Sequence, residues 1–359
     1  MSIVVRPTEP HEYRLAANAF LAALMVAPPS DELWERSLPS WHAAPSFSAW
    51  DGTRCVAHGS HDIVETTVPG GARLSTSAVT RVGVLPTYRR KGIGSGLMQA
   101  MIDDAIERDL VLMSLRASEA VIYQRYGFGI AGDFCEATID PVRVRPIAGA
   151  ATEGSFRILD PDEIVDIIGP LYERVAHRRP GVLTRPHHWV TRQFRTATDG
   201  KEASFVVVHA DVDGNDDGYV HYSTRWSDGM NAGSTGLGDM HELLGASDAV
   251  ELALWQYLVD IDLVTSWTTV GRPVDDLVRL AARDRRGYRQ TAIEDEQWLR
   301  LIDVDAALRG RTYNQAVGSI TIRVTDPLIP ANNSTWRIDA HGADRTDDAP
   351  DVTVGIETI

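Results

Sequence analysis

The stretch Val82-Gly83-Val84-Leu85-Pro86-Thr87-Tyr88-Arg89-Arg90-Lys91-Gly92-Ile93-Gly94 constrains this chain more than any other. It closes a run rich in β-branched residues (73–85), which Pro86 ends. It opens a run in which Leu97, Met98, Met101, Ile102 and Ala105 recur at helical spacing. Strand, glycine-rich loop and helix in that order aim the unpaired N–H groups of a helix N-terminus outward. There the helix dipole favours an anion, and glycine lets the main chain come close to it. Arg89, Arg90 and Lys91 add positive charge. Two phosphate motifs are poorly met: no Ser or Thr follows Lys91 as in a P-loop, and Leu97 stands where a dinucleotide fingerprint needs glycine. Taken without its neighbours, the loop reads equally as a glycine-rich turn with a solvated basic face.

The neighbours give it a setting. IVVRP reads as a strand, HEYRLAANAFLAAL as a helix, and Ser30 or Asp31 as the cap of a short helix carrying Leu33 and Trp34. SFSAWDG and TRCVAHGSHDIVETTV form a hairpin about Asp51-Gly52. After the loop and its helix, VLMSLRA is a short strand. Ser118 is expected to cap a helix over EAVIYQRY that Gly127 closes, and FGIAGDFCEATI is a further strand. The order β-α-α-β-β-β-α-β-α-β is complete by about residue 150, where PIAGAATEG reads as a linker. A second unit, 151–291, roughly repeats that order through the hairpin SFVVVHADVDGNDDGYVHYSTRW, the helix DAVELALWQYLVDIDL and the strand VTSWTTV. It has no glycine-rich phosphate loop, only STGLGDMHELLGASD. A third segment, 292–359, offers the strands SITIRVTD, TWRIDAH and DVTVGIETI.

Composition bounds the function. At 359 residues, several domains are expected. A net charge of −15 disfavours a nucleic-acid partner and suits a cationic ligand. No apolar run spans a membrane and no leader pattern opens the chain, so a cytoplasmic protein is expected. Cys55 and Cys135 read as small buried hydrophobes, and no metal-ligand spacing stands out. Asp211-Val212-Asp213-Gly214-Asn215-Asp216-Asp217-Gly218 departs from a calcium loop at its glycine and its closing glutamate positions, and reads as a hairpin turn. Adjacent His187 and His188 diverge on a helix and so do not form a metal pair. Asn332 and Asn333 begin glycosylation sequons, which have meaning only in a secreted protein.

Arg-x-x-Gly-x-Gly after a strand, followed by the block ASEAVIYQRYGFG, resembles the acetyl-coenzyme A signature of the GNAT superfamily. With SxxTxVxVLPTYRRKGIG, the loop-less second unit and the third segment, the whole length is similar to the Eis (enhanced intracellular survival) acetyltransferases. The resemblance implies tandem GNAT folds, each a mixed α/β sheet with helices on both faces, followed by a sterol-carrier-protein-like α+β domain. It implies acetyl-CoA as cofactor, no metal, and acetyl transfer to primary amines of aminoglycosides in a ternary complex. Lysine side chains or polyamines are alternative acceptors, and a non-catalytic acyl-CoA- or lipid-binding module is a reading from another class. It also implies a homohexamer.

Residue by residue, the resemblance gives the pantetheine arm to main-chain groups of Val82 and Val84, flanking Gly83. Amides from Arg90 through Lys91, Gly92, Ile93 and Gly94 to Ser95 take the pyrophosphate, with Arg89 beside them. Ser118 and Glu119 line the thioester; Trp34, matched by no family motif, reads either as a wall of the amine pocket or as core packing. Tyr123 becomes the proton donor to the leaving thiolate, since a phenol with a pKa of about 10 is protonated at neutral pH. Tyr126 keeps a packing role. The strand 73–84 supplies no acid to act as base. In the family the base is the terminal carboxylate, so the chain is expected to continue past Ile359.

Overall fold

A computed structural model describes residues 3–200, 203–231, 233–314 and 318–359. The chain divides into two compact units, one built from residues up to 131 together with 297–359, the other from 132–296.

The first unit opens with β1 (Val4–Pro7), α1 (Tyr13–Ala23), α2 (Asp31–His42), β2 (Ser46–Asp51), β3 (Arg54–Thr67) and β4 (Arg73–Val84). Ser30 is the cap of α2, its Oγ accepting from Leu33 N at 3.3 Å. Strands β1 to β4 pair antiparallel in sequence order. After α3 (Ile93–Glu107) the chain returns as β5 (Leu112–Leu115), which runs parallel to β4.

Side chains of successive strand residues face opposite sides of a sheet, and that alternation seats the helices. A Cβ on Gly83 would meet Ala23 Cβ at 2.9 Å and Phe20 at 3.3 Å, so this face carries α1. Val84 instead packs 3.8 Å from where a Gly94 Cβ would stand, so the other face carries α3. Tyr13, Trp34, Trp41, Trp50 and Cys55 fill the space under α1 and α2. Ile93 and Leu97 of α3 fill the other face with Ala49, Val56 and Ala57.

A short helix, α4 (Ala120–Tyr123), and a single tighter turn (Gln124–Tyr126) lead to Gly127 at φ +80° and then to β6 (Gly129–Ile139). Ser118 does not cap α4 as the sequence suggested. Glu119 holds the cap position in an extended conformation without a side-chain hydrogen bond.

The second unit contains α5 (Pro141–Val144), β7 (Ser155–Ile158), α6 (Ile164–Val175), α7 (His187–Gln193), α8 (Arg195–Asp199), β8 (Ser204–Ala210) and β9 (Asp216–Trp226). It continues with β10 (Gly236–Gly245), α9 (Asp248–Val259), β11 (Val264–Pro273), α10 (Val278–Ala281) and most of β12 (Tyr288–Leu301). Its strands run in the order β6-β11-β10-β9-β8-β7, with β10 and β11 parallel, the same local pattern as β4 and β5. STGLGDMHELLGASD is therefore mostly strand β10, not a loop, and Ser247 caps α9 through Val250 N at 3.3 Å. Asp211 closes the β8–β9 hairpin by accepting from Asp213 N and Asn215 N, each at 2.9 Å. Arg185 and Glu242 pair bidentately beneath that hairpin at 3.0 and 2.6 Å. The Tyr219 hydroxyl donates to the same carboxylate at 2.8 Å.

The chain then re-enters the first unit. Trp298–Leu301 of β12 pair antiparallel with β5, whereas Phe134–Ile139 of β6 pair with β11 in the second unit. The two closing strands are thus exchanged between the halves. After α11 (Val304–Arg309) come β13 (Ile320–Thr325), β14 (Ser334–Asp339), β15 (Gly342–Arg345) and β16 (Val352–Gly355), a small sheet ordered β15-β14-β13-β16. Arg300 on β12 is wholly buried, bonds both oxygens of Asp326 at 3.1 and 2.9 Å and donates to Tyr126 O at 2.6 Å. This buried pair, in which Arg300 Nε alone is left without a partner, ties the last segment to the Tyr126 turn, and removing one partner would leave an uncompensated charge.

Candidate active site

The parallel pairing of β4 with β5 lasts only from Thr76–Leu112 to Ala78–Ser114. On its other side β4 stays paired with β3 to Val84, with an extra residue inserted between Thr80 and Gly83. Arg81 at that bulge has φ +55°. Leu85 N donates to Val56 O at 2.9 Å, so the main-chain groups of Leu85 and Gly83 point at β3. By the alternation of a strand, those of Val82 and Val84 point the opposite way, where no strand follows β5 up the sheet. An extended, amide-bearing ligand fits such an edge.

The same strand leads into the N-terminus of α3. Gly92 caps it at φ +78° with no side-chain hydrogen bond, and a Cβ there would meet nothing within 4 Å. The first-turn N–H groups of Ile93, Gly94 and Ser95 have no acceptor within the helix. Arg90 (φ +62°) and Lys91 are exposed beside them. Arg89 is exposed too, with one nitrogen 3.3 Å from Ala23 O at the end of α1, and Lys91 Nζ sits 4.8 Å over the Tyr88 ring. The edge, the open glycines and the cations together suit the pantetheine and pyrophosphate of a coenzyme A.

Tyr123 lies at the end of α4, only 8% exposed, among Met98, Met101, Leu115 and Phe128. Its ring meets Phe128 edge-on at 6.1 Å. Burial pushes its phenol above the usual value. A hydrogen bond with the Ser118 side chain pulls the other way, and the Glu119 charge adds to the rise. The phenol therefore keeps its proton at neutral pH, as a donor must. Ser118 and Glu119 are exposed just before α4. Tyr126 is not purely a packing residue: its hydroxyl bonds Ser95 Oγ at 2.9 Å, linking the α4 turn to the first turn of α3.

Trp34 stands apart from this group. It is 6% exposed and packs on Trp41 at 5.7 Å in the cluster beneath α1 and α2. Trp41 in turn stacks on His58 at 5.0 Å and carries the Arg81 guanidinium at 4.7 Å.

The sequence reading passed over two buried polar groups on β3. Asp62, 2% exposed, stands opposite Ala78, the residue where β4 and β5 part. His61, wholly buried, holds Ser77 Oγ at 2.8 Å, and its Nε2 lies 3.0 Å from Asp104 Oδ2, out of hydrogen-bond alignment. The run HGSHDIV is too uniformly buried to show the alternation that would have singled them out.

Comparison with known proteins agrees with this geometry. Profiles described as "Acetyltransferase (GNAT) domain" match residues 4–131 and 181–301, and one described as "Sterol carrier protein domain" matches 304–359. The chain is thus an acetyl-CoA-using acyltransferase of the GNAT class, with two such domains and a sterol-carrier-like one. An uncharacterized N-acetyltransferase of Streptomyces coelicolor is 33% identical over 90% of this chain and 78% of its own length. N-acetyltransferase Eis of Mycobacterium tuberculosis is 30% identical over 89% of this chain and 79% of its own. The crystal structure of Eis1 from Mycobacterium abscessus superposes with a TM-score of 0.86 at 31% identity, covering 99% of this chain and 88% of that one. The chain belongs to the Eis family of GNAT N-acetyltransferases. Among the described residues, no helix is long and apolar enough to cross a membrane.

Proposed function

We propose that the protein acetylates primary amines of a cationic small molecule of the aminoglycoside class, by direct attack of the amine on acetyl-CoA in a ternary complex. Acetyl-CoA supplies the thioester. Val82 and Val84 hold its pantetheine arm through the free edge of β4. The α3 N-terminus with Arg89, Arg90 and Lys91 holds its phosphates, and Ser118 and Glu119 flank the reacting end. The attacking amine passes its proton to a carboxylate such as Glu119 or to a water chain, and Tyr123 donates the proton that the departing thiolate needs. The observation carrying this reading is Tyr123, buried on the short helix that follows β5, beyond the point where β5 leaves β4. The charge of −15 supports a cationic acceptor. We also propose the functional segmentation 1–150, 151–291 and 292–359, a homohexameric assembly and a cytoplasmic location.

The test is release of free thiol from acetyl-CoA against a panel of aminoglycosides, polyamines and lysine peptides. Aminoglycosides are expected to give the highest kcat/KM, and preference for peptides would replace that substrate class. Tyr123→Phe should keep coenzyme affinity while turnover falls about 100-fold, the usual worth of a positioned acid. Turnover at the wild-type rate would leave Tyr123 a packing residue.

A further inference from the structure

The second unit lacks a phosphate loop, yet it carries one of the more basic stretches of this acidic chain. Arg283-Asp284-Arg285-Arg286-Gly287-Tyr288-Arg289 sets four arginines against one acid. The last of them line a cleft of about 510 Å³ together with Arg143, Thr138, Thr265 and Ser266. The cleft opens where β6 ends: Trp267 still pairs with Ile139, whereas Ser266 and Thr265 have no β6 partner. Asp140 also lines it, and Ile139 is its one apolar lining residue.

The charges of the cleft are unevenly spent. Arg143 is neutralised, with Asp140 at 3.3 Å and Asp284 at 3.1 Å. Arg286 and Arg289 have no carboxylate at ion-pair distance among the described residues, although acids outnumber bases in the chain by 50 to 35. Two planar forks of donors suit the oxygens of a phosphate, and the volume falls in the small-molecule range.

We propose that this cleft is a second ligand site, separate from that of acetyl-CoA, which binds a phosphorylated small-molecule anion through Arg286 and Arg289. Acetyl transfer is not part of the argument, so the site stands or falls independently of it.

Titration calorimetry with inorganic pyrophosphate, on protein saturated with coenzyme A, isolates the cleft from the α3 site. One additional binding event is expected at low salt. Arg286→Ala with Arg289→Ala should weaken it at least about tenfold. Thermal melts of the exposed-arginine variant should match wild type, showing that lost binding is not lost folding. Absence of binding at millimolar pyrophosphate, or equal affinity in the double-arginine variant, would overturn the assignment.

Discussion

At the residue scale, what the sequence made legible were positions where backbone demand leaves a chemical trace. Gly92 must adopt φ +78° to start α3, and Gly127 φ +80° to stop the turn after α4, so both could be read from the chain. Ser118 misled, because a serine ahead of a helical run looks like a cap whether or not its hydroxyl is engaged elsewhere, here with Tyr123. Trp34 shows the opposite limit: no pattern separates a pocket wall from a core aromatic, and its burial beside Trp41 came only from the structure. Arg89 and Arg90, exposed at the mouth of α3, carry the prediction for this scale. Replacing both with Ala should weaken acetyl-CoA binding about 10- to 100-fold, with stability held to within about 0.5 kcal/mol. Calorimetry with coenzyme A and a urea titration measure the two halves of that statement, and unchanged affinity would remove both residues from the phosphate site.

At the scale of elements, β4 does the positioning. It is held by β3 along one edge, released by β5 along the other after Ala78, and pressed against α1 at Gly83. A methyl group at residue 83 would stand 2.9 Å from Ala23 Cβ. Gly83→Ala is therefore expected to cost about 1–3 kcal/mol in urea unfolding, as overpacking does. No measurable cost would mean that α1 yields freely there. The elements that escaped the sequence reading escaped for related reasons. β10 begins with glycines that imitate a loop, yet Gly236 and Gly238 are needed because Leu263 O and the Trp267 ring occupy the places of their missing Cβ atoms. The exchange of β6 and β12 left no trace, since periodicity reports which face of a strand is buried and not which neighbour buries it.

At the scale of the whole molecule, each unit encloses a histidine that stays neutral. Burial holds His58 down to about 3 in the first unit and His221 to about 4 in the second, against an ordinary value of 6.5. Unfolding lets each take up a proton below 6.5, so the unfolded state gains as pH falls toward those folded values. Stability is thus complete above pH 6.5 and declines in the window from there to about pH 3. Thermal melts across it should show a drop that His58→Gln with His221→Gln flattens, and an equally steep drop in that variant would place the acid sensitivity elsewhere. The exchanged strands bear on how such a molecule is made. β5 finds its second neighbour only at Trp298, more than half the chain after Leu115 has been synthesised. On the ribosome the first unit must wait, its sheet open at that edge, while the whole second unit emerges. Nascent chains stalled before residue 298 should then stay sensitive to protease at sites that the finished protein protects.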